Sequence, residues 1–151
     1  QALLCKYPVM ANFAKQLNIS SLANMDELGW EVIDYHERLI LNDTLCVTHG
    51  EAIAPESGAG GMKEMKTRMM SGVSGHSHRA SITTLRNEQG SFTWCEAGHL
   101  ASDAVSQEYT HEKITNWQKA IVAMEWDGKD WWPQLLMVKD GRIVYNGRIF
   151  R

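Results

Sequence analysis

The chain has 151 residues, 44% apolar and 22% charged, with 15 basic against 18 acidic side chains. That length gives one domain or part of a larger one, with enough apolar residues to bury a core. A net charge of −3 excludes the broad basic surplus on which general nucleic-acid binders depend.

A local basic patch at Lys63, Lys66 and Arg68 stays open beside the plainer reading of a solvated helix face. No apolar run reaches the roughly 20 residues needed to cross a bilayer, so no membrane association is expected. The opening QALLCKYPVM has neither the basic start nor the small-residue cleavage site of a signal peptide. It starts with Gln1 rather than Met, which points to a processed or truncated product. Three cysteines without CxxC spacing argue against a disulfide framework and for a reducing, cytoplasmic setting. Cys46 and Cys95, inside apolar strand-like runs, read as buried structural thiols.

In chain order, Val9, Phe13 and Leu17 are spaced as one helix face over 8–18, and Pro8 suits the start. A second short helix fits 20–28, capped by Ser20 or Ser21 and ended by Gly29. Trp30 and Val32 begin a short extended piece. Arg38–Leu41 and Thr44–Thr48 form two apolar runs joined by Asn42-Asp43, a hairpin signal. Residues 50–61 read as a loop and about 61–70 as a helix. Gly72–His78 is a short apolar run that turns polar. Strands follow at 80–87 and 91–97, around Glu88-Gln89-Gly90. Segment 99–116 is polar and irregular. Three more strands cover 117–126, 131–139 and 142–150, split at Asp127-Gly128 and Asp140-Gly141, with Asn146-Gly147 as a further turn or bulge. Helices first and sheet later suggest an α/β or α+β sandwich, with an antiparallel meander at the end.

The histidines carry the chemistry. Thr48-His49-Gly50 closes one apolar strand, and Gly75-His76-Ser77-His78-Arg79 closes another. In open α/β sheets, sites gather at the carboxyl ends of strands. If the second segment is extended, His76 and His78 point to one face, with α-carbons roughly 6.6 Å apart. That spacing lets each imidazole serve one metal of a pair about 3.5–4 Å apart. An HxH spelling alone also fits solvent-facing or core histidines; the second strand-end histidine singles it out. His36 and His111 sit in polar surroundings and read as exposed. His99, in a Gly-containing turn, reads as structural or solvated, or as lying at the site edge. Asp103 and Glu108 read as wet loop residues, with reach to a substrate as the alternative. Trp117, Trp126, Trp131 and Trp132 suit nucleobase stacking, sheet packing or an association surface.

The elements LCVTHGE and GVSGHSHR resemble the last two motifs of the calcineurin-like metallophosphoesterases. The stretches CEAGHL, QEYTHEKITNWQKAIVAMEWDG and LLMVKDGRIVYNGRIFR are similar to the closing strands of that family's phage and bacterial branch. Residues 1–42 look like the segment that precedes the His-Gly strand there, so the resemblance spans nearly the whole chain. It implies the sheet-rich carboxyl-terminal half of a four-layer α/β (α+β) sandwich, as a single domain over 1–151. It implies hydrolysis of phosphate mono- or diesters, nucleotides and nucleic acids among them, by a dinuclear centre of Mn2+, Fe2+ or Fe3+, Ni2+ or Zn2+. His49 and His76 match ligands of one metal and His78 a ligand of the other, with Arg79 and His99 near the substrate.

The family's amino-terminal Asp-x-His, Gly-Asp and Gly-Asn-His motifs have no counterpart. Asp34-Tyr35-His36 has the first spelling, but it falls too late in the order. That leaves three histidine ligands, no general acid, and the expectation of a partial chain. The reading from another class is a non-catalytic assembly module, a homo-oligomer through unpaired sheet edges. A single structural zinc is a third reading. It lacks a fourth ligand, since Cys46 should face away from His49.

Overall fold

A computed structural model describes residues 24, 25, 27–33, 37–111 and 113–151. The chain divides into two compact units, Gln1–Asp34 and Tyr35–Arg151. In the first unit, the helix expected over 8–18 and most of that over 20–28 lie outside the described residues, as does Asp34-Tyr35-His36. The described part contains turns, closed by the Leu28 and Trp30 N–H groups donating to the Asn24 and Met25 carbonyls. Trp30 to Ile33 follow without regular structure, where an extended piece was expected.

The second unit is a sheet-rich α+β fold with two short helices among its described residues. Its first sheet contains β1 (Arg38–Leu41), β2 (Leu45–Thr48), β3 (Ser71–Ser74), β4 (Ala80–Asn87) and β5 (Gly90–Ala97). The spatial order is β1-β2-β3-β5-β4. Hairpins β1–β2 and β4–β5 are antiparallel. The first closes through Asn42 and Asp43, both left-handed at φ 48° and 57°, which suits these two residue types. The centre is parallel: β2 pairs with β3, and β3 with β5.

Helix α1 (Ala59–Arg68) makes the crossover between the parallel strands β2 and β3. It starts two residues earlier than the periodicity suggests. Its flank is built for close approach: a Cβ on Gly61 would sit 2.8 Å from Cδ1 of Trp94. Trp94, Met65 and Cys46 form the buried centre, covered by Met62, Met70, Leu85 and Phe92. Lys63 and Lys66 are exposed, as a solvated face would have them, while Arg68 turns to Glu64 at 2.7 Å.

The carboxyl-terminal region departs from three long strands. β6 (Ala120–Trp126) and β7 (Trp131–Met137) form one hairpin, and β8 (Ile143–Tyr145) and β9 (Arg148–Phe150) another. Asn146 and Gly147, both at positive φ, split the expected 142–150 strand into that second hairpin. Residues 99–116 are not wholly irregular: α2 (Asp103–Tyr109) begins where Ser102 Oγ accepts the Val105 N–H at 3.3 Å. No described helix is long and apolar enough to cross a membrane.

Cys46 and Cys95 are both buried and unpaired, while Cys5 lies outside the described residues. Burial pushes the Cys95 thiol up to about 11 and raises Cys46 as well, against the opposing pull of Arg68. At neutral pH the reactive thiolate of Cys95 is therefore scarce, on the order of one part in ten thousand. Iodoacetamide is expected to leave both thiols unmodified in the native protein and to alkylate both in urea. Peptide mass mapping reads the outcome, and native alkylation of Cys95 would contradict it.

Candidate functional site

The parallel centre of the sheet brings the histidines to one end. Thr48 of β2 lies opposite Ser74 of β3, and Ser74 opposite Glu96 of β5. His49 follows β2, His76 and His78 follow β3, and His99 follows β5, so all four leave the carboxyl ends of adjacent parallel strands. Backbone bonds tie the loops together. The Gly75 N–H donates to the His49 carbonyl at 2.9 Å, and the Gly98 N–H to that of Arg79 at 2.9 Å. The Gln118 N–H donates to the His78 carbonyl at 3.0 Å, and the His99 N–H to that of Gln118 at 3.1 Å.

The His-x-His segment is not extended, contrary to the spacing argument. β3 ends at Ser74, and both His76 and His78 are left-handed, at φ 40° and 56°. The rings consequently belong to two pairs. His49 Nε2 and His76 Nδ1 face each other at 3.1 Å, with ring centroids 5.0 Å apart. His78 packs edge-on against Trp117 at 4.3 Å and lies 5.5 Å from His99. Trp117, expected in a strand, precedes β6 and also touches His99 and Tyr109, at 5.7 and 5.9 Å. Trp126 and Trp131 do pack across the β6–β7 hairpin, at 4.9 Å.

Burial lowers the His49 pKa, and His76 lowers it further. Burial also lowers His78, followed by the fields of His99, His76 and His49. His99 is lowered by burial and by Lys119, against Asp103. Each of these shifts favours the neutral imidazole, the form that ligates metals. The Nδ1 atoms of His78 and His99 and Nε of Arg79 are enclosed without a hydrogen-bond partner. His111 is exposed, and Glu108 is exposed on α2. Asp103 pairs with Lys119 at 2.7 Å rather than standing alone in water. A cleft of about 290 Å3 opens here, lined by His99, Asp103, Ser106, Trp117, Lys119 and Val138 among others.

Two buried acids that the sequence did not single out brace these loops. Glu64 Oε1 on α1 accepts the Glu51 and Ala52 N–H groups, at 2.7 and 2.9 Å, just past His49. Glu96 on β5 accepts from Ser77, Ser81 and Gly58. Glu64 was hidden because it sits among the charged residues of a helix, and Glu96 because it interrupts an apolar strand. A charged residue inside an otherwise apolar strand is the signal that was there to find.

Among the described residues, no three His, Cys, Asp or Glu side chains gather closely enough to hold an ion by themselves. The nitrogens of the His49–His76 pair, which are within hydrogen-bond distance, come near the spacing of two donors on one ion. Two imidazole nitrogens at about 2.0–2.1 Å from a tetrahedral ion stand roughly 3.3–3.4 Å apart, against the 3.1 Å between Nε2 and Nδ1. The chain matches no protein-family model, no curated protein and no solved structure.

Proposed function

We propose that the histidine cluster is one side of a phosphoesterase metal centre, and that the chain acts in the hydrolysis of phosphate mono- or diesters. The observation that carries this reading is the facing of His49 Nε2 and His76 Nδ1 at 3.1 Å, from loops at the ends of two parallel strands. They would hold one ion, and His78, with its unpartnered Nδ1, would serve a second. Imidazole donors accept Mn2+, iron, Ni2+ or Zn2+. Such an ion, when bound, supplies Lewis acidity to a phosphoryl oxygen and makes an attacking water easier to deprotonate. The half-buried Arg79, whose Nε lacks a hydrogen-bond partner, suits a phosphate oxygen, and the cleft beside His99 has room for the ester group. On this reading the five-stranded sheet and α1 are one half of a four-layer metallophosphoesterase sandwich. The carboxylate and amide ligands of such a centre, and its general acid, are not supplied by the described histidine loops.

The test is Mn2+-dependent release of p-nitrophenol from p-nitrophenyl phosphate or its bis-ester. Slow hydrolysis is expected, reduced at least roughly 100-fold in His76→Ala. Even groups one step removed from a metal cost about 10–100-fold when lost. No Mn2+-dependent release would sink the reading. A metal-free, inactive oligomer would favour the assembly module instead. The observation on that side is the exposed apolar surface of the outer strands, Leu39 and Ile40 on β1 and Ile82 on β4.

A further inference from the structure

Glu96 is 1% exposed, yet both its carboxyl oxygens are engaged. Oε1 accepts from Ser77 Oγ at 2.7 Å. Oε2 accepts from the Gly58 N–H at 2.6 Å and from Ser81 Oγ at 2.9 Å. The surroundings are built tightly around this group: a Cβ on Gly60 would lie 2.7 Å from Oε1. A buried acid carries a desolvation cost that a purely apolar strand position avoids. Its placement therefore calls for a role beyond packing.

Ser77 shows what that role is. It lies between His76 and His78, and it is itself only 6% exposed. Its hydroxyl donates to Glu96 and accepts the Arg79 N–H at 3.3 Å. The histidines on either side are both left-handed, a conformation that L-residues adopt against a steric cost. Two such residues around one serine persist only where the surroundings over-determine them. The same turn sends one ring toward His49 and the other toward His99 and Trp117.

We propose that Glu96 is a positioning residue, which through Ser77 fixes the turn that presets the His76 and His78 rings before any ion arrives. This rests on the reading of the histidines as metal ligands. Ser81 supplies the control, because it bonds the other oxygen of the same carboxyl from β4, outside the His76-Ser77-His78 turn.

The experiment is titration of the full chain with Co2+, following affinity and the visible absorption of the bound ion, with thermal melts for each variant. Ser77→Ala and Glu96→Gln are expected to weaken Co2+ binding by roughly tenfold or more and to change its spectrum. Ser81→Ala is expected to lower the melting temperature while leaving affinity and spectrum as in the wild type. Wild-type Co2+ binding in a folded Ser77→Ala chain would overturn the proposal and leave the metal reading standing. So would equal weakening by Ser81→Ala, since the carboxyl would then act on the fold alone. A wild-type chain that binds no Co2+ overturns the metal reading and this proposal with it. If Glu96→Gln fails to fold, Ser77→Ala decides.

Discussion

Trp94→Ala is expected to destabilise the sheet unit by about 3–5 kcal/mol, the usual cost of deleting a buried tryptophan. The indole is fully buried against Cys46 and Met65 and lies under Met62, Met70, Leu85 and Phe92. Its N–H donates to Ser74 Oγ at 3.0 Å, tying β5 to the end of β3. Gly61 and Gly72 are its walls, since a Cβ at either would collide with the ring. Those walls belong to backbone, so collapse around the vacancy is limited and most of the cavity term remains. Against a domain stability of about 5–15 kcal/mol this is a large share. Urea unfolding followed by far-UV circular dichroism measures it. Trp94→Phe should fall between, keeping ring packing but leaving Ser74 Oγ without its donor. A loss below about 1 kcal/mol for Trp94→Ala would contradict the account.

Glu64→Ala has the second large effect. Glu64 is 5% exposed, and its carboxylate serves the Glu51 and Ala52 N–H groups and the Arg68 guanidinium. Removing one partner of a buried pair typically costs about 3–5 kcal/mol. The lower end, about 3 kcal/mol, is expected, because Arg68 is 15% exposed and can turn to water.

The same carboxylate imposes a pH dependence. Burial alone would raise its pKa. The two backbone N–H groups and Arg68 outweigh burial and hold it below the ordinary 4.5. A depressed folded-state pKa contributes stability that is complete above the unfolded value and fades as pH falls through the folded one. Wild-type stability should therefore decline below about pH 4.5, and Glu64→Gln should show a shallower decline over that window. Melts in a pH series read both. Parallel acid limbs for the two proteins would remove Glu64 from this role.

How much of this was legible in the sequence depends on whether the signal is local. Asn42-Asp43, Gly90, Asp140-Gly141 and Asn146-Gly147 sit at or beside turns in the structure, because these types accept the positive φ they show there. Helix α1 was found, but its start was misplaced. Gly58 is held by Glu96 from 38 residues away, and no local pattern reports that bond. Helix α2 has no buried residue, so it lacks the apolar periodicity that reveals a helix. Its signal was Ser102 before Asp103, a cap followed by an acidic first turn.

The histidines were visible by their place at the ends of apolar runs. Their relative orientation was not. The extended His-x-His geometry failed because β3 ends at Ser74 and both histidines are left-handed, in a loop whose Ser77 hydroxyl bonds Glu96 from 19 residues away, a contact that no local pattern reports. Trp117 read as a strand residue because it lies three residues before the apolar run that opens at Ala120. Its contacts to His78 and His99 come from the pairing of Gln118 with the histidine loops.

The passage from Thr48 through α1 to Ser71 also dictates an order of assembly. Hairpins β1–β2 and β4–β5 join neighbours in sequence, so each can zip with little chain to close. The β2–β3 seam must instead wait until the intervening helix has been laid across the sheet, which costs loop entropy before any contact repays it. His49 and His76 stand on opposite sides of that seam. The imidazole pair therefore reports a non-local join: it comes together only when a seam that neither hairpin can form alone has closed.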